Sequence, residues 1–197
     1  MPKLVDHDAR RREIIEATWE LIAEQGIDNV SVRDIAKAAS YAAPGALSHY
    51  FGSKDRLLAA AYQLVCDRTD ERIARVTAGR RGLDALERMC GEIVPADPLT
   101  RIEARVALSF WQRAQHEEVL RAIGRTALAS WKQQIIGHLD AAAEDGEIRP
   151  VDPHLAADQL IALMMGLHVT SMLDGDLLPG TRQRHLVAAH IDALRPA

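Results

Sequence analysis

Residues Ser31 to Leu58 read SVRDIAKAASYAAPGALSHYFGSKDRLL, two short helical patterns around a tight break and then the start of a longer one. Ser31 with Asp34 three positions on is a capping-box pattern, and Ile35, Ala36 and Ala39 give the helix it opens an apolar face. The break falls at Ser40, Tyr41 and Ala42. Pro44 fits only near a helix start, where its missing N–H would have no partner anyway, so a second helix is expected over Pro44 to Tyr50. Gly52 ends it. Ser53 can cap the next helix, in which Leu57, Leu58, Ala61, Tyr62, Leu64 and Val65 recur at helical spacing. Two helices at a corner, the second held outward, is the layout that carries a helix into a DNA major groove.

Around that corner Arg11, Ile14, Ile15, Ala17, Leu21, Gly26, Val32, Ile35, Ala36, Ala39, Gly45, Leu47, Tyr50, Phe51, Lys54 and Leu57 stand in an order and spacing that resembles the DNA-binding head of the tetracycline-repressor (TetR) family of bacterial regulators. A looser likeness, carried by the MPKL start, by SHYF at Ser48 to Phe51 and by LSFWQRAQHEEVL at Leu108 to Leu120, is to the branch containing the choline-responsive repressor of betaine synthesis. The resemblance implies an all-α chain of about nine helices. A three-helix helix-turn-helix head (residues 1–55) would join, through a shared fourth helix, a ligand-binding and dimerisation body (residues 56–197).

It also implies DNA contacts. The helix over Pro44, Gly45, Ala46, Leu47, Ser48, His49 and Tyr50 would read the groove. Small residues at Ala43, Gly45 and Ala46 permit close approach, while Ser48 and His49 can hydrogen-bond to bases or phosphates. Tyr50 and Lys54 suit phosphates, Arg33 and Tyr41 the DNA backbone, and Leu47 and Phe51 the core. One departure stands out. The family's break is a Gly, an aliphatic residue and a hydroxyl residue, whereas Ser40, Tyr41, Ala42 and Ala43 make a turn one residue longer. Ala43 then occupies the cap, a loss on the order of 1 kcal/mol.

Charge does not advertise a nucleic-acid partner. The net charge is −4, and residues 1–56 hold eight Lys or Arg against nine Asp or Glu. Placement matters more, because remote carboxylates are screened beyond a Debye length of ~8 Å. Arg10 to Arg12, Arg33 and Lys54 stand at expected helix starts, where side chains and free N–H groups grip phosphates together. The alternative for each cation is plain solvation at the surface.

Outside the corner the 197 residues read as helix throughout: Asp8 to Gln25, Ser53 to Thr77, Leu83 to Ile93, Thr100 to Gln115, Glu117 to Glu144, Pro153 to Leu173 and Thr181 to Leu194, with Gly and Pro between them. No apolar run approaches the ~20 residues of a membrane span and no secretory leader is evident, so a cytoplasmic protein without a membrane partner is expected. Cys66 and Cys90 fit that compartment as reduced thiols.

The helix at Pro153 to Leu173 is apolar over most of its circumference and must be buried on two sides. With the last helix it is a candidate two-fold interface through Leu160, Leu163, Leu167, Leu186 and Ile191, and Gly166 would let a neighbouring helix come close. Phe110, Trp111, Trp131, Met165, His168 and Met172 are the candidate lining of a pocket for a small inducer. Trp faces attract quaternary ammonium groups, so the inducer could be cationic, balanced by Glu103 or Asp158. The competing reading of the same residues is ordinary core. No cofactor or metal is expected and no catalytic residue stands out: none of the eight histidines has a Glu three positions before it, and HExxH, CxxC, a phosphate loop and a nucleophile elbow are absent. The expectation is therefore a dimeric, inducer-released repressor on double-stranded operator DNA. Its rival is a helical dimeric binding protein or enzyme with no DNA role.

Overall fold

The computed structural model describes residues 7–26, 29–40 and 50–196. Among them are eight helices and no strand: α1 (His7–Gln25), α2 (Val32–Ala38), α3 (Lys54–Thr77), α4 (Gly82–Ile93), α5 (Pro98–Ala114), α6 (Glu118–Glu144), α7 (Pro153–Leu173) and α8 (Gly180–Asp192). The boundaries follow the expected stops. Gly26, at φ 79°, turns the chain out of α1, and Gly79 and Gly146 do the same after α3 and α6. Asp152 caps α7 by accepting from the His154 and Leu155 N–H groups, with Pro153 as first residue. Pro98, which rules out continuation of α4, is itself the first residue of α5.

The chain forms two compact units, each discontinuous in sequence. One is built from residues within 1–66 and 105–124, the other from 67–104 and 125–197. In the first, α1 packs on α2, and Ile14, Ile35, Leu57, Leu58 and Phe110 are almost fully enclosed. In the second, α8 packs on α4 and α7 over a core of Leu86, Met89, Ile135, Leu139, Leu160 and Met164. Two close approaches fix that core. A Cβ on Gly180, at the start of α8, would sit 1.8 Å from the Ala96 carbonyl oxygen. Gly82, at φ 59°, lies against Glu147, whose carboxylate accepts the Leu83 N–H at 2.7 Å and so ends the N-terminal turn of α4.

Helix α7 holds no unbroken apolar run of membrane-spanning length, as expected from sequence. It is long and apolar enough, by length and composition, to cross a bilayer. Its polar residues, Asp158, Gln159 and His168 among them, interrupt every apolar run, so only the average over the helix shows it.

The Ala96 carbonyl is backbone and cannot step aside, so Gly180→Ala forces α8 off its seat. We expect a loss of about 1–3 kcal/mol, the usual range for overpacking, read as a fall in the urea midpoint at unchanged slope.

Candidate nucleic-acid interface and ligand-binding body

The corner begins with a complete capping box. Ser31 Oγ accepts the Asp34 N–H at 3.2 Å, and the Asp34 carboxylate accepts the Ser31 N–H at 3.0 Å and also takes the Ser31 hydroxyl. These bonds favour the ionised carboxylate, which holds the Asp34 pKa below its ordinary value. Ile35 and Ala36 face inward and Arg33 is exposed on the opposite side. The helix leaves through Ala39, whose N–H bonds to the Ile35 carbonyl, and then Ser40, at φ 58°. Ser40 does here what glycine does at no steric cost elsewhere, so the chain turns sharply on a residue whose type does not announce it. Tyr41, Ala43, Pro44, Gly45, Ala46, Leu47, Ser48 and His49 lie outside the described residues.

Beyond them Tyr50 and Phe51 are helical. Phe51 is buried as expected, with the Arg11 guanidinium 5.2 Å above its ring centroid. Tyr50 is half-buried and its ring lies 5.6 Å from that of His7. Lys54 is the first residue of α3. Ser53 caps that helix, its hydroxyl accepting the Arg56 N–H at 3.2 Å and its carbonyl the Leu57 N–H at 3.2 Å. The Lys54 and Asp55 N–H groups have no partner among the described residues. The opening turn of α3 thus presents a cation and two free N–H donors, the equipment of an anion grip.

Sequence reasoning missed what stands behind that turn. Asp55 accepts a hydrogen bond from Arg113 Nη2 at 3.3 Å. Two turns further along α3, the rings of Tyr62 and Phe110 stack with centroids 3.7 Å apart, and Trp111 donates its indole N–H to the Tyr62 hydroxyl at 3.0 Å. Burial pushes the Tyr62 phenol up, so it stays protonated. Arg121 closes the end of α5 through the Ala114 and Gln115 carbonyls. The only signal in the sequence was the helical spacing of Tyr62.

The candidate pocket residues are divided between the two units. Phe110 and Trp111 belong to the first unit; Trp131, Met165, His168 and Met172 belong to the second. Phe110 is filled against Tyr62, and Met172 is 45% exposed. Trp131 is buried in its unit's core with its N–H on Asp70 at 3.0 Å. His168 is buried with Nδ1 2.8 Å from the Met164 carbonyl, and burial lowers its pKa. Met165 is half-buried against the same core. The proposed counter-ions are also engaged. Glu103 is enclosed and bonded at both oxygens to Arg72, at 2.9 and 2.6 Å, while Arg72 Nε holds Glu92 at 3.1 Å. Burial raises the Glu103 pKa and Arg72 opposes that. Asp158 pairs with Lys132. A cleft of about 350 Å³ opens beside Val76, Asp84, Glu87, Arg88, Gly91, Glu92 and Arg184, lined mostly by charged residues.

The interface candidates differ in burial. Leu160, Leu167 and Ile191 are enclosed in the second unit's own core, and Leu163 and Leu186 are half-buried against it. The face of α7 left open carries Leu155, Gln159, Ala162, Gly166, Val169 and Leu173, spaced alternately four and three apart. Nothing lies within 4 Å of where a Gly166 Cβ would be. Cys66 and Cys90 are buried free thiols, one in each unit, and burial pushes Cys90 up to about 12.

A capped helix, a sharp turn and a following helix whose opening turn holds a cation is the layout of transcriptional regulators with a helix-turn-helix head, and comparison with known proteins places the chain in that class. Residues 14–61 match the bacterial regulatory proteins of the tetR family, and residues 82–196 match the BetI-type transcriptional repressor C-terminal domain. The chain is 33% identical over 197 residues to the HTH-type transcriptional regulator PksA of Bacillus subtilis, covering 98% of this chain and 94% of that one. To the HTH-type transcriptional regulator BetI of Stenotrophomonas maltophilia it is 29% identical over 198 residues, covering 98% and 96%. Its fold matches a transcriptional regulator from Saccharomonospora viridis, solved in complex with choline, with a TM-score of 0.88 at 24% identity, covering 94% and 96% of the two chains. The chain belongs to the TetR family and carries a BetI-type C-terminal domain: it is a DNA-binding transcriptional repressor with a ligand-binding C-terminal domain.

The capping box is the local support of the corner. Ser31→Ala removes the acceptor of the Asp34 N–H, and we expect a loss of about 1 kcal/mol in urea unfolding, with Ser31→Thr close to wild type.

Proposed function

We propose that the protein acts as a cytoplasmic homodimer that holds a palindromic operator with its two heads and is released when a small molecule binds the C-terminal domain. The observation that carries the DNA side is the opening turn of α3, where Lys54 stands with two N–H groups that have no partner among the described residues. On this reading residues 1–55 are the head and 56–197 the body. Lys54, Tyr50, Arg33 and Tyr41 hold phosphates and the DNA backbone, and the stretch Ala43, Pro44, Gly45, Ala46, Ser48 and His49 faces the bases. The protein has no catalytic role.

The dimer is supported by α7. Its open face is a stripe of mostly apolar and small residues, Leu155, Ala162, Gly166, Val169 and Leu173, interrupted by Gln159, with Leu173 82% exposed. A stripe of this length, with a glycine at its middle, lets two copies of α7 cross closely and covers apolar surface that one subunit leaves in water. A two-fold pair of heads then meets two half-sites one or more helical turns apart. For the inducer, choline is the first probe, since the Saccharomonospora neighbour holds it; betaine aldehyde and a polyamine are the next cations to try.

Selection from a random-sequence duplex pool should enrich a palindrome, and failure to enrich any sequence overturns the reading. Lys54→Ala should weaken binding to all sequences alike and reduce the salt slope by about 1, whereas changes at Ser48 or His49 alter base preference. Gly166→Arg should convert the dimer to monomer in sedimentation velocity and abolish operator binding; a monomeric wild type would refute the dimer.

A further inference from the structure

The opening turn of α3 contains a conflict. Asp55 lies in the same turn as Lys54, beside the free N–H groups that a phosphate would use. A carboxylate there interacts favourably with the helix N-terminus, and for the same reason it competes with a phosphate for that positive end and repels it. The structure supplies a counter-charge from 58 residues away: Arg113, in the last turn of α5, donates Nη2 to Asp55. The end of α5 is in turn fixed by Arg121, which bonds the Ala114 and Gln115 carbonyls. Both side chains of the ion pair are roughly two-fifths exposed, 42% for Arg113 and 38% for Asp55, and such pairs contribute little to stability. What the pair does change is the local charge at the phosphate grip.

We infer that Arg113 is a positioning residue for operator binding: it neutralises and holds Asp55 so that the opening turn of α3 accepts a DNA phosphate. Affinity for the operator is thereby set in part by a residue outside the head. This rests on the DNA-binding reading above.

The test uses the full-length protein and the duplex that the wild type enriches from a random pool. With Asp55 left uncompensated, Arg113→Gln should weaken binding about 5–10-fold and make its log–log salt dependence shallower, as loss of a cation near a phosphate does. Asp55→Asn should tighten binding by a few-fold, since it removes the repulsion and leaves Arg113 beside the phosphate. The double variant should return to near the wild-type affinity, and Arg113→Lys should keep most of it. Opposite signs for the two single changes are the signature, because a merely structural pair gives the same sign for both. If both singles weaken binding alike, or neither shifts affinity or salt slope while thermal unfolding stays unchanged, the inference is wrong. If the wild type enriches no duplex, it is the DNA-binding reading that fails.

Discussion

The stack of Tyr62 on Phe110 is the contact on which the first unit's composition depends. Two aromatic rings at 3.7 Å, both nearly excluded from water, bring a stretch of α5 against the helix that follows the corner although 48 positions separate them in sequence. Aromatic pairs add about 0.5–1.5 kcal/mol to the burial of their surfaces, and the Trp111 N–H supplies the partner that the buried Tyr62 hydroxyl requires. With that anchor in place, Arg113 reaches Asp55 two turns nearer the corner on α3. Residues far from the head in sequence thus shape its electrostatics, which length and composition alone would have assigned to the body.

Much of the helical framework was legible because its signals are local. Ser31 and Asp34 formed the capping box their spacing called for, and Pro153 to Leu173 begins and ends as expected. A cap needs only residues three apart, and a glycine stop needs only one. What the sequence hid were partners chosen over long distances. Glu103 looked available for a cation because its neutralising Arg72 lies 31 residues earlier, on another helix. Trp131 looked like a pocket wall, and its indole N–H is taken by Asp70 from 61 positions away. The turn at Ser40 was placed correctly, yet its left-handed geometry had no glycine to reveal it.

The interface candidates show a different limit. Periodicity reports that a side chain leaves water but not whose atoms cover it. On a helix with one apolar stripe the distinction is trivial. On α7, apolar almost all round, two stripes exist, and the larger side chains drew the assignment: Leu160 and Leu167 fill the subunit's own core with Met164 between them. A core is filled to the density of an organic crystal, which favours bulky side chains that interdigitate. A helix crossing instead favours short side chains at the point of closest approach, since axes 8–10 Å apart leave little room between backbones. Ala162 and Gly166 satisfy the second demand and not the first. The open space at Gly166 is what the proposed pairing of two copies of α7 would use.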